Sequence, residues 1–411
     1  MRVFCLVSTA TLKGRSRALY AGKRLQSIDA LRGAAALGVV LYHTLNKISI
    51  VNSTPGQLLL MKPLLWLFSF GYVGVYLFFV ISGFCIHLQW TRARTTQANP
   101  EINFAAFWKR RVRRLYPPYL IALALYLLIL VLTKEVQLTR FFAWDVLLHL
   151  LMLHNLDPRT AYSINGVFWT LAIEEQLYLA YFLLLFLRIR WGWARTLLVC
   201  AGARLGWFFL AGKLKSSFGI EIPVSESALS HWFTWALGAL SVEAAMGLIK
   251  LPRWTRSFRL GFCALVCAVG LTYAQTFFEG AMHDAAWLLV HPVWGLGFFF
   301  LVNWAVEAER GWRERNQIPY TVVALAYVGL FSYSLYLTHQ LAQLESWHLY
   351  FLGYQTFVIE IILMTPITLL FAWLFYLLCE RPFLSKPNRP APALPQSPEA
   401  HETVVGQLEI Q

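Results

Sequence analysis

The chain has 411 residues, of which 58% are hydrophobic and 14% are charged. Soluble proteins carry about a quarter charged residues, so the composition excludes an ordinary soluble protein and is typical of a polytopic membrane protein. The formal net charge is +14, which could indicate binding to nucleic acid. The positions of the basic residues along the chain decide between that role and a role in membrane topology.

Ten apolar segments are long enough to cross a bilayer. They are residues 28–46, 64–90, 116–133, 167–187, 193–211, 229–249, 258–278, 284–305, 321–341 and 355–379. A shorter apolar run, 142–156, contains Asp145, His149 and His154. This run predicts one interfacial or re-entrant helix. The predicted fold is all-α, a polytopic membrane bundle of about ten transmembrane helices.

The basic residues predict the orientation of this bundle. If the N-terminus is cytoplasmic, the cytoplasmic segments hold 26 Lys and Arg and the external loops hold 7. This bias is the positive-inside pattern of an even number of crossings with both termini in the cytoplasm. The positive charge is therefore mainly topogenic, and no nucleic-acid partner is expected. The six cysteines contain no CxxC pair, so no metal site is predicted.

Three regions divide the chain. Residues 1–25 are read as a basic cytoplasmic extension, because the apolar run in them is too short for a signal peptide and precedes the basic residues. Residues 26–385 form one membrane domain, without the internal repeat that many transporters show. Residues 386–411, rich in Pro, Ala and polar residues, predict a disordered cytoplasmic tail.

The first span, "IDALRGAAALGVVLYH" (28–43), carries ionisable residues at both ends. Arg32 and His43 are eleven residues apart, so they share one helix face and are separated by ~16 Å of rise. Asp29 lies three residues before Arg32 and can pair with it. Ionisable residues inside a membrane mark functional sites; the simpler readings are an Arg32 that reaches the interface and a packed, neutral His43.

The stretch "FWKRRVRRLYPPYL" (107–120) places five cations before two prolines at the predicted cytoplasmic edge. Arg111 and Arg114 are three residues apart and present one helix face to a polyanion, and guanidinium groups suit phosphates. Lipid headgroup binding and simple topogenic anchoring remain alternatives.

Two further stretches bring carboxylates and a histidine into spans. In "GVFWTLAIEEQLYLAYFL" (166–183), Glu174 and Glu175 lie about two turns into a span, and Tyr178 shares a face with Glu174. Buried carboxylates need partners, and His43 is a candidate at similar depth. His339 ends a later span in "FSYSLYLTHQ" (331–340) and is either structural or a supporting residue.

Together these stretches resemble the acyltransferase-3 family of integral membrane enzymes that O-acetylate surface polysaccharides and related glycans. The first span resembles the family's opening Arg-x10-His motif at Arg32 and His43. "YLFFVISGFCI" (76–86) resembles its second-span signature, and Arg111, Arg114 and Pro117 resemble its Arg-x-x-Arg motif followed by proline. "FWTLAIEEQLY" resembles the pattern Trp-Ser-Leu-x-x-Glu-x-Gln-Phe-Tyr, with Glu174 as the glutamate; "SYSLYLTHQ" and "ERPF" complete the set.

The resemblance implies transfer of an acyl group, usually acetyl from acetyl-CoA, to a hydroxyl group. Arg32, Arg111 and Arg114 would bind the acyl-CoA, whose acyl arm would run along the first span. His43 would act as general base or carry the acyl group briefly, and Glu174 would orient it as the acid of a catalytic triad does. Asp29, Glu175, Tyr178 and His339 are possible supporting residues. Acyl-CoA is expected as a substrate, and no permanently bound cofactor is expected.

The acceptor and the rival functions stay open from the sequence. A carbohydrate or glycolipid acceptor in a bacterial inner membrane fits the family, whereas acyl chain length and oligomeric state cannot be read. A transporter or exporter is the main alternative, because ionisable residues in spans also mark transport paths. A haem-binding bundle is a weaker one, because no span carries two histidines at the required spacing.

Overall fold

The computed structural model describes residues 24–46, 62–63, 65–97, 100–342 and 364–384. Across these residues the regular structure is helical, with no β-strand. The all-α prediction is therefore confirmed for this part of the chain. The tail 386–411, nearly all of the predicted N-terminal extension and the first part of the last predicted span lie outside the described residues.

The α-helices of the described residues are numbered here in chain order. They are α1 (Gln26–Asn46), α2 (Gly74–Thr96), α3 (Phe104–Leu132), α4 (Arg140–Leu150), α5 (Trp169–Phe218), α6 (Ala228–Ala245), α7 (Phe258–Phe277), α8 (Gly280–Glu314), α9 (Tyr320–Leu330), α10 (Ser332–Ala342) and α11 (Thr365–Phe375). A π-helical turn, Tyr376–Glu380, continues α11.

Several of these helices are long and apolar enough to span a bilayer, so the protein is a multi-pass membrane protein. In the described residues six helical segments qualify, and α9 with α10, bent by 72°, makes up to seven. One of the six, α5, runs for 50 residues but is broken at Gly192. The φ of Gly192 is +75°, which glycine adopts without strain. The count of ten crossings and the cytoplasmic termini stay predictions.

The predicted interfacial or re-entrant segment contains a short helix. Helix α4 has 11 residues, too few to cross a membrane. Thr139 caps it by accepting a hydrogen bond from the backbone N–H of Phe142 at 3.2 Å.

The ring of His149, in the last turn of α4, stacks on the ring of His154 beyond its end, with centroids 3.9 Å apart. The Tyr119 hydroxyl of α3 donates to the His149 carbonyl oxygen at 2.9 Å, and the Gln176 amide of α5 donates to Asn155 Oδ1 at 2.8 Å. The segment therefore lies against α3 and α5 without counting as a span.

Glycines bring α1 and α9 into backbone contact. A Cβ at Gly33 of α1 would collide with the Leu325 carbonyl oxygen of α9, and one at Gly329 would collide with that of Asp29. Small residues permit this close approach between membrane helices, where van der Waals packing is the main attraction. Helix α1, which carries Arg32 and His43, is thus fixed against α9.

Buried carboxylates from other helices cap the two helices that carry the predicted histidines. Glu309 of α8 accepts from the backbone N–H groups of Gln26 and Ser27 at the start of α1, at 3.1 and 2.8 Å. Glu380 accepts from the backbone N–H and hydroxyl of Ser334 at the start of α10, at 3.2 and 2.6 Å. Both carboxylates satisfy N-terminal amides that a helix leaves unpaired, and they complement its dipole.

A buried arginine replaces the backbone hydrogen bond that a proline removes from α8. Pro292 lacks the N–H that would bond the carbonyl of Leu288 four residues earlier. The Arg204 Nε donates to that carbonyl at 3.0 Å, and its Nη1 donates to the Ser230 carbonyl at 3.2 Å. Arg204 also packs over the Trp287 ring, 4.2 Å from its centroid. The contacts of this intramembrane arginine therefore give it a structural role.

Candidate active site

A cavity of about 640 Å³ lies among α1, α2, α3, α5 and the junction of α9 with α10. Its α2 wall extends from Arg92 to Val75, a rise of ~25 Å along the helix. Arg24 and Leu384 contribute to the same end as Arg92, whereas Thr170 and Tyr336 line the deeper part. The cavity is thus an elongated slot that runs along the helices.

Positive charge dominates the walls of this cavity. Its basic side chains are Arg24, Arg32, Arg92, Arg111 and Arg114, and its acidic ones are Asp29, Glu174 and Glu380. An excess of guanidinium groups in a slot with partly apolar walls favours an anionic ligand, because low-dielectric walls strengthen the field of the charges.

The cluster of five cations at the start of α3 divides into two faces. Arg111 and Arg114 are half-buried and line the cavity, whereas Lys109, Arg110 and Arg113 are exposed. Among the described residues, the buried Nε atoms of Arg111 and Arg114 have no hydrogen-bond partner. The structure therefore directs toward the cavity the two arginines that the sequence singles out.

Arg32 of α1 lies deeper in the slot. Its side chain is 21% exposed, and its Nη1 is 3.8 Å from the Asp29 carboxylate. Its Nη2 donates to the Cys85 sulfur of α2 at 3.2 Å. Asp29 also accepts two hydrogen bonds from Arg24, the Nη2 bond being 3.1 Å. The predicted Asp29–Arg32 pair is present, and Arg24 shares the carboxylate.

Glu174 of α5 presents its carboxyl group to the same cavity. Its Oε1 accepts a hydrogen bond from the Ser82 hydroxyl of α2 at 2.8 Å and another from the Tyr178 hydroxyl one turn further along α5. The Arg111 guanidinium lies 5.8 Å from the Tyr178 ring centroid. Glu174 and Tyr178 therefore form one polar face that leads toward the α3 arginines.

The same face of α5 leads in the other direction to the histidines. Thr170, one turn before Glu174, is 2.6 Å from the Tyr336 hydroxyl of α10. The Tyr336 ring packs on His339, with centroids 5.9 Å apart. Glu174 is consequently about 6 Å of helix rise from the level at which Thr170 meets α10.

His43 lies beside His339 rather than on the cavity wall itself. Their ring centroids are 5.2 Å apart, and the Gln340 amide nitrogen is 3.5 Å from His43 Nδ1. His339 Nδ1 is 2.9 Å from the Tyr336 carbonyl oxygen, so Nδ1 is the donor in this contact. The interaction between His43 and Glu174 stays a prediction.

Glu175 occupies a different environment from its neighbour. Its side chain is buried, and neither carboxyl oxygen has a hydrogen-bond partner within the described residues. It is not among the residues that line the cavity. The two adjacent glutamates therefore divide into one that faces the slot and one enclosed in the bundle.

Sequence reasoning missed several residues of this site. Ser82 lies in the quoted second-span stretch and Glu380 in "ERPF", so both had a signal in the motifs. Arg92 counts only as a topogenic charge in the sequence, yet it lines the cavity. Tyr336 and Gln340 flank His339, and only the packing of α10 on α1 shows that they belong to the site.

Comparisons with known proteins identify relatives of this chain. Over 180 residues, 41% of this chain and 26% of its own length, an O-acetyltransferase OatA of Staphylococcus aureus is 30% identical. The peptidoglycan O-acetyltransferase OatA of Listeria monocytogenes is 31% identical over 193 residues, again 41% of this chain and 26% of its own. YrhL of Bacillus subtilis is 26% identical over 390 residues, 87% of this chain and 54% of its own.

The chain thus spans about a quarter to a half of the length of these relatives. No solved structure matches it significantly. The family model described as an acyltransferase domain matches residues 25–377, which include every residue of the arginine-lined cavity except Arg24, Glu380 and Leu384. The chain therefore belongs to the acyltransferase-3 family of membrane proteins.

Proposed function

We propose that this protein is a membrane-embedded O-acyltransferase that moves an acetyl group from cytoplasmic acetyl-CoA to a hydroxyl group of a carbohydrate acceptor. The observation that carries the proposal is the continuous slot with five arginines on its walls and a pair of histidines beyond its deep end. Family membership supports the reaction class.

The donor would lie along the slot. Arg111 and Arg114 would bind phosphate oxygens of CoA, because each has a buried Nε with no hydrogen-bond partner among the described residues, and guanidinium groups bind phosphates through charge-assisted bonds. Arg32 would contact the donor deeper in the slot. The pantetheine arm would then extend along α1 and α5 toward His43.

The chemistry needs one base near the thioester. The acceptor oxygen attacks the thioester carbonyl, its C–O bond forms, the C–S bond breaks, and CoA leaves as thiolate. His43 takes the hydroxyl proton and passes it to that thiolate. In the alternative route, an imidazole nitrogen of His43 attacks the thioester carbonyl, the C–S bond breaks and CoA leaves as thiolate. The acceptor hydroxyl then attacks the acyl-imidazole, its proton goes to the thiolate and the imidazole is released. Glu174 would stabilise the positive charge that develops on the imidazole, and His339 would support its position.

The relatives indicate the class of the acceptor. The Listeria protein is named a peptidoglycan O-acetyltransferase, and peptidoglycan is a carbohydrate polymer outside the bacterial inner membrane. We therefore place this protein in that membrane and assign it a cell-surface carbohydrate or glycolipid acceptor. The ten crossings and cytoplasmic termini inferred from the basic residues would put Arg111 on the CoA side and His43 toward the acceptor side.

Transfer of labelled acetyl tests the proposal directly. Membranes that contain the wild-type protein receive [acetyl-¹⁴C]acetyl-CoA, and label is followed into glycan and lipid fractions. We expect label with the wild type, and a loss of at least ~100-fold with His43→Ala, because a positioned acid–base group contributes about 10²–10⁴-fold.

A matched variant controls for the general effect of removing a histidine side chain from the fold. His149→Ala changes a buried histidine outside the site, so per folded protein it should retain transfer. If the wild type transfers no label from any acyl-CoA, or if His43→Ala equals the wild type, the proposed chemistry is wrong.

A further inference from the structure

The second-span stretch "YLFFVISGFCI" (76–86) carries no residue of the chemistry proposed above, yet it forms one wall of the cavity. We propose that Ser82 in this stretch is a positioning residue that fixes the Glu174 carboxylate for transfer, with Trp235 of α6 fixing Ser82 in turn. This inference rests on the proposed function and assigns a role within it.

The hydrogen bonds run in one direction from α6 through α2 to α5. The Trp235 indole N–H donates to the Ser82 oxygen at 3.2 Å, and the Ser82 hydroxyl donates to Glu174 Oε1 at 2.8 Å. An indole nitrogen can only donate, so it fills an acceptor position of the Ser82 oxygen. The Ser82 hydroxyl proton is thereby left for the carboxylate, so both hydrogen bonds are donated in the same direction, toward Glu174.

The residues that form these hydrogen bonds are buried. Trp235 is fully buried and Ser82 is 8% exposed, so water does not compete strongly for these bonds. The Tyr178 hydroxyl gives the same Oε1 a second donor. With Oε1 held from two sides, the other oxygen of Glu174 is left for the imidazole that Glu174 would stabilise in the proposed reaction.

Backbone packing explains why the stretch reads Ser-Gly. A Cβ at Gly83 would collide with the carbonyl oxygen of Trp235, and a Cβ at Gly238 would collide with that of Val80. The two glycines let α2 and α6 touch, and at this spacing the Trp235 indole reaches Ser82. The sequence pattern thus builds a support for Glu174 and not only a helix contact.

Steady-state kinetics on the purified full-length protein test the assignment. We expect Ser82→Ala to lower kcat about 10- to 100-fold, the loss of one hydrogen bond to a charged group, while the KM for acetyl-CoA changes less than about 2-fold. Trp235→Phe keeps the ring and removes the N–H, so it should lower kcat by a smaller factor.

Ser241→Ala is the matched control. Ser241 is a buried serine of α6 whose hydroxyl has no hydrogen-bond partner in the described residues, so its loss should leave kcat and KM unchanged. The melting temperature of each variant separates positioning from folding, because a purely structural serine would change stability and not kcat per folded molecule. If Ser82→Ala does not fold, Trp235→Phe alone decides by the same criterion.

The outcomes distinguish this inference from the proposed function. A wild type without transfer activity overturns both. An active wild type with Ser82→Ala and Trp235→Phe equal to it in kcat overturns only the positioning role. A rise in KM with unchanged kcat also overturns it, because Ser82 would then act on donor binding.

Discussion

Two adjacent residues of the same type have different environments at this site. Glu174 and Glu175 are adjacent, yet Glu174 faces the cavity with two donors on one oxygen, and Glu175 is buried with no hydrogen-bond partner among the described residues. The sequence places both within one span but cannot say which faces the slot, because that depends on how α5 is rotated against α2.

The unpaired carboxyl of Glu175 makes a testable prediction about stability. An unsatisfied buried polar group costs about 1–3 kcal/mol, so Glu175→Leu should raise the melting temperature of the purified protein. Glu243→Leu is the control: its carboxylate bonds His87, Arg188 and Trp193, and removing it strands buried partners and should lower the melting temperature. A Glu175→Leu variant that melts as early as Glu243→Leu would contradict this account.

The environment of His154 predicts that acid lowers the stability of the fold. It lies between α4 and α5, outside the candidate spans, where burial above all, and then the neighbouring His149, lowers its pKa to about 3. The unfolded chain binds its proton near pH 6.5, so the stability from this histidine is present above pH 6.5 and is lost as the pH falls toward 3.

The expected loss from His154 is about 2 kcal/mol at pH 5. His154→Phe keeps a ring against His149 and cannot be protonated, so its melting temperature should fall less than that of the wild type between pH 7.5 and pH 5. Equal falls for the two proteins would show that other groups set the acid sensitivity.

Among the helices, the elements themselves were predictable but their irregularities were not. Long apolar runs identify spans, and the short run at 142–156 correctly predicts a short helix, the 11-residue α4. The 72° bend between α9 and α10 has no proline at the break, and Glu380, from a distant part of the chain, accepts hydrogen bonds from Ser334 just after it. Such long-range capping has no local signal in the sequence.

The proline of α8 provides an element-scale prediction. Because Arg204 bonds the Leu288 carbonyl that Pro292 leaves without a donor, Arg204→Leu should destabilise the protein by about 1–3 kcal/mol. In a Pro292→Ala background, the backbone N–H restored at position 292 can bond that carbonyl, so the same change should cost less. Thermal unfolding of the four proteins forms a double-mutant cycle; strictly additive losses would contradict the coupling.

At the scale of the whole molecule, the sequence predicted the membrane class and the family, and it singled out Arg111 and Arg114 as a pair on one helix face. The i,i+3 spacing gives Arg110 and Arg113 a common face as well, so the resemblance to the family's Arg-x-x-Arg motif, and not the spacing, separated the two pairs. The slot could not be predicted, because residues from six regions of the chain line it, including Ser82 and Tyr336. Their convergence depends on helix packing, which local pattern does not encode.

The central claim is that the arginine-lined slot holds the acyl donor, and binding of CoA to the purified protein tests it most directly. Isothermal titration compares the wild type with Arg111→Ala/Arg114→Ala and with Arg110→Ala/Arg113→Ala, which removes the same charge from the exposed face. We expect the inward pair to weaken binding at least ~100-fold, since each lost charged hydrogen bond costs about 1.5–3 kcal/mol, and the outward pair to leave it nearly unchanged. Equal weakening by both pairs, or no binding by the wild type, would contradict the claim.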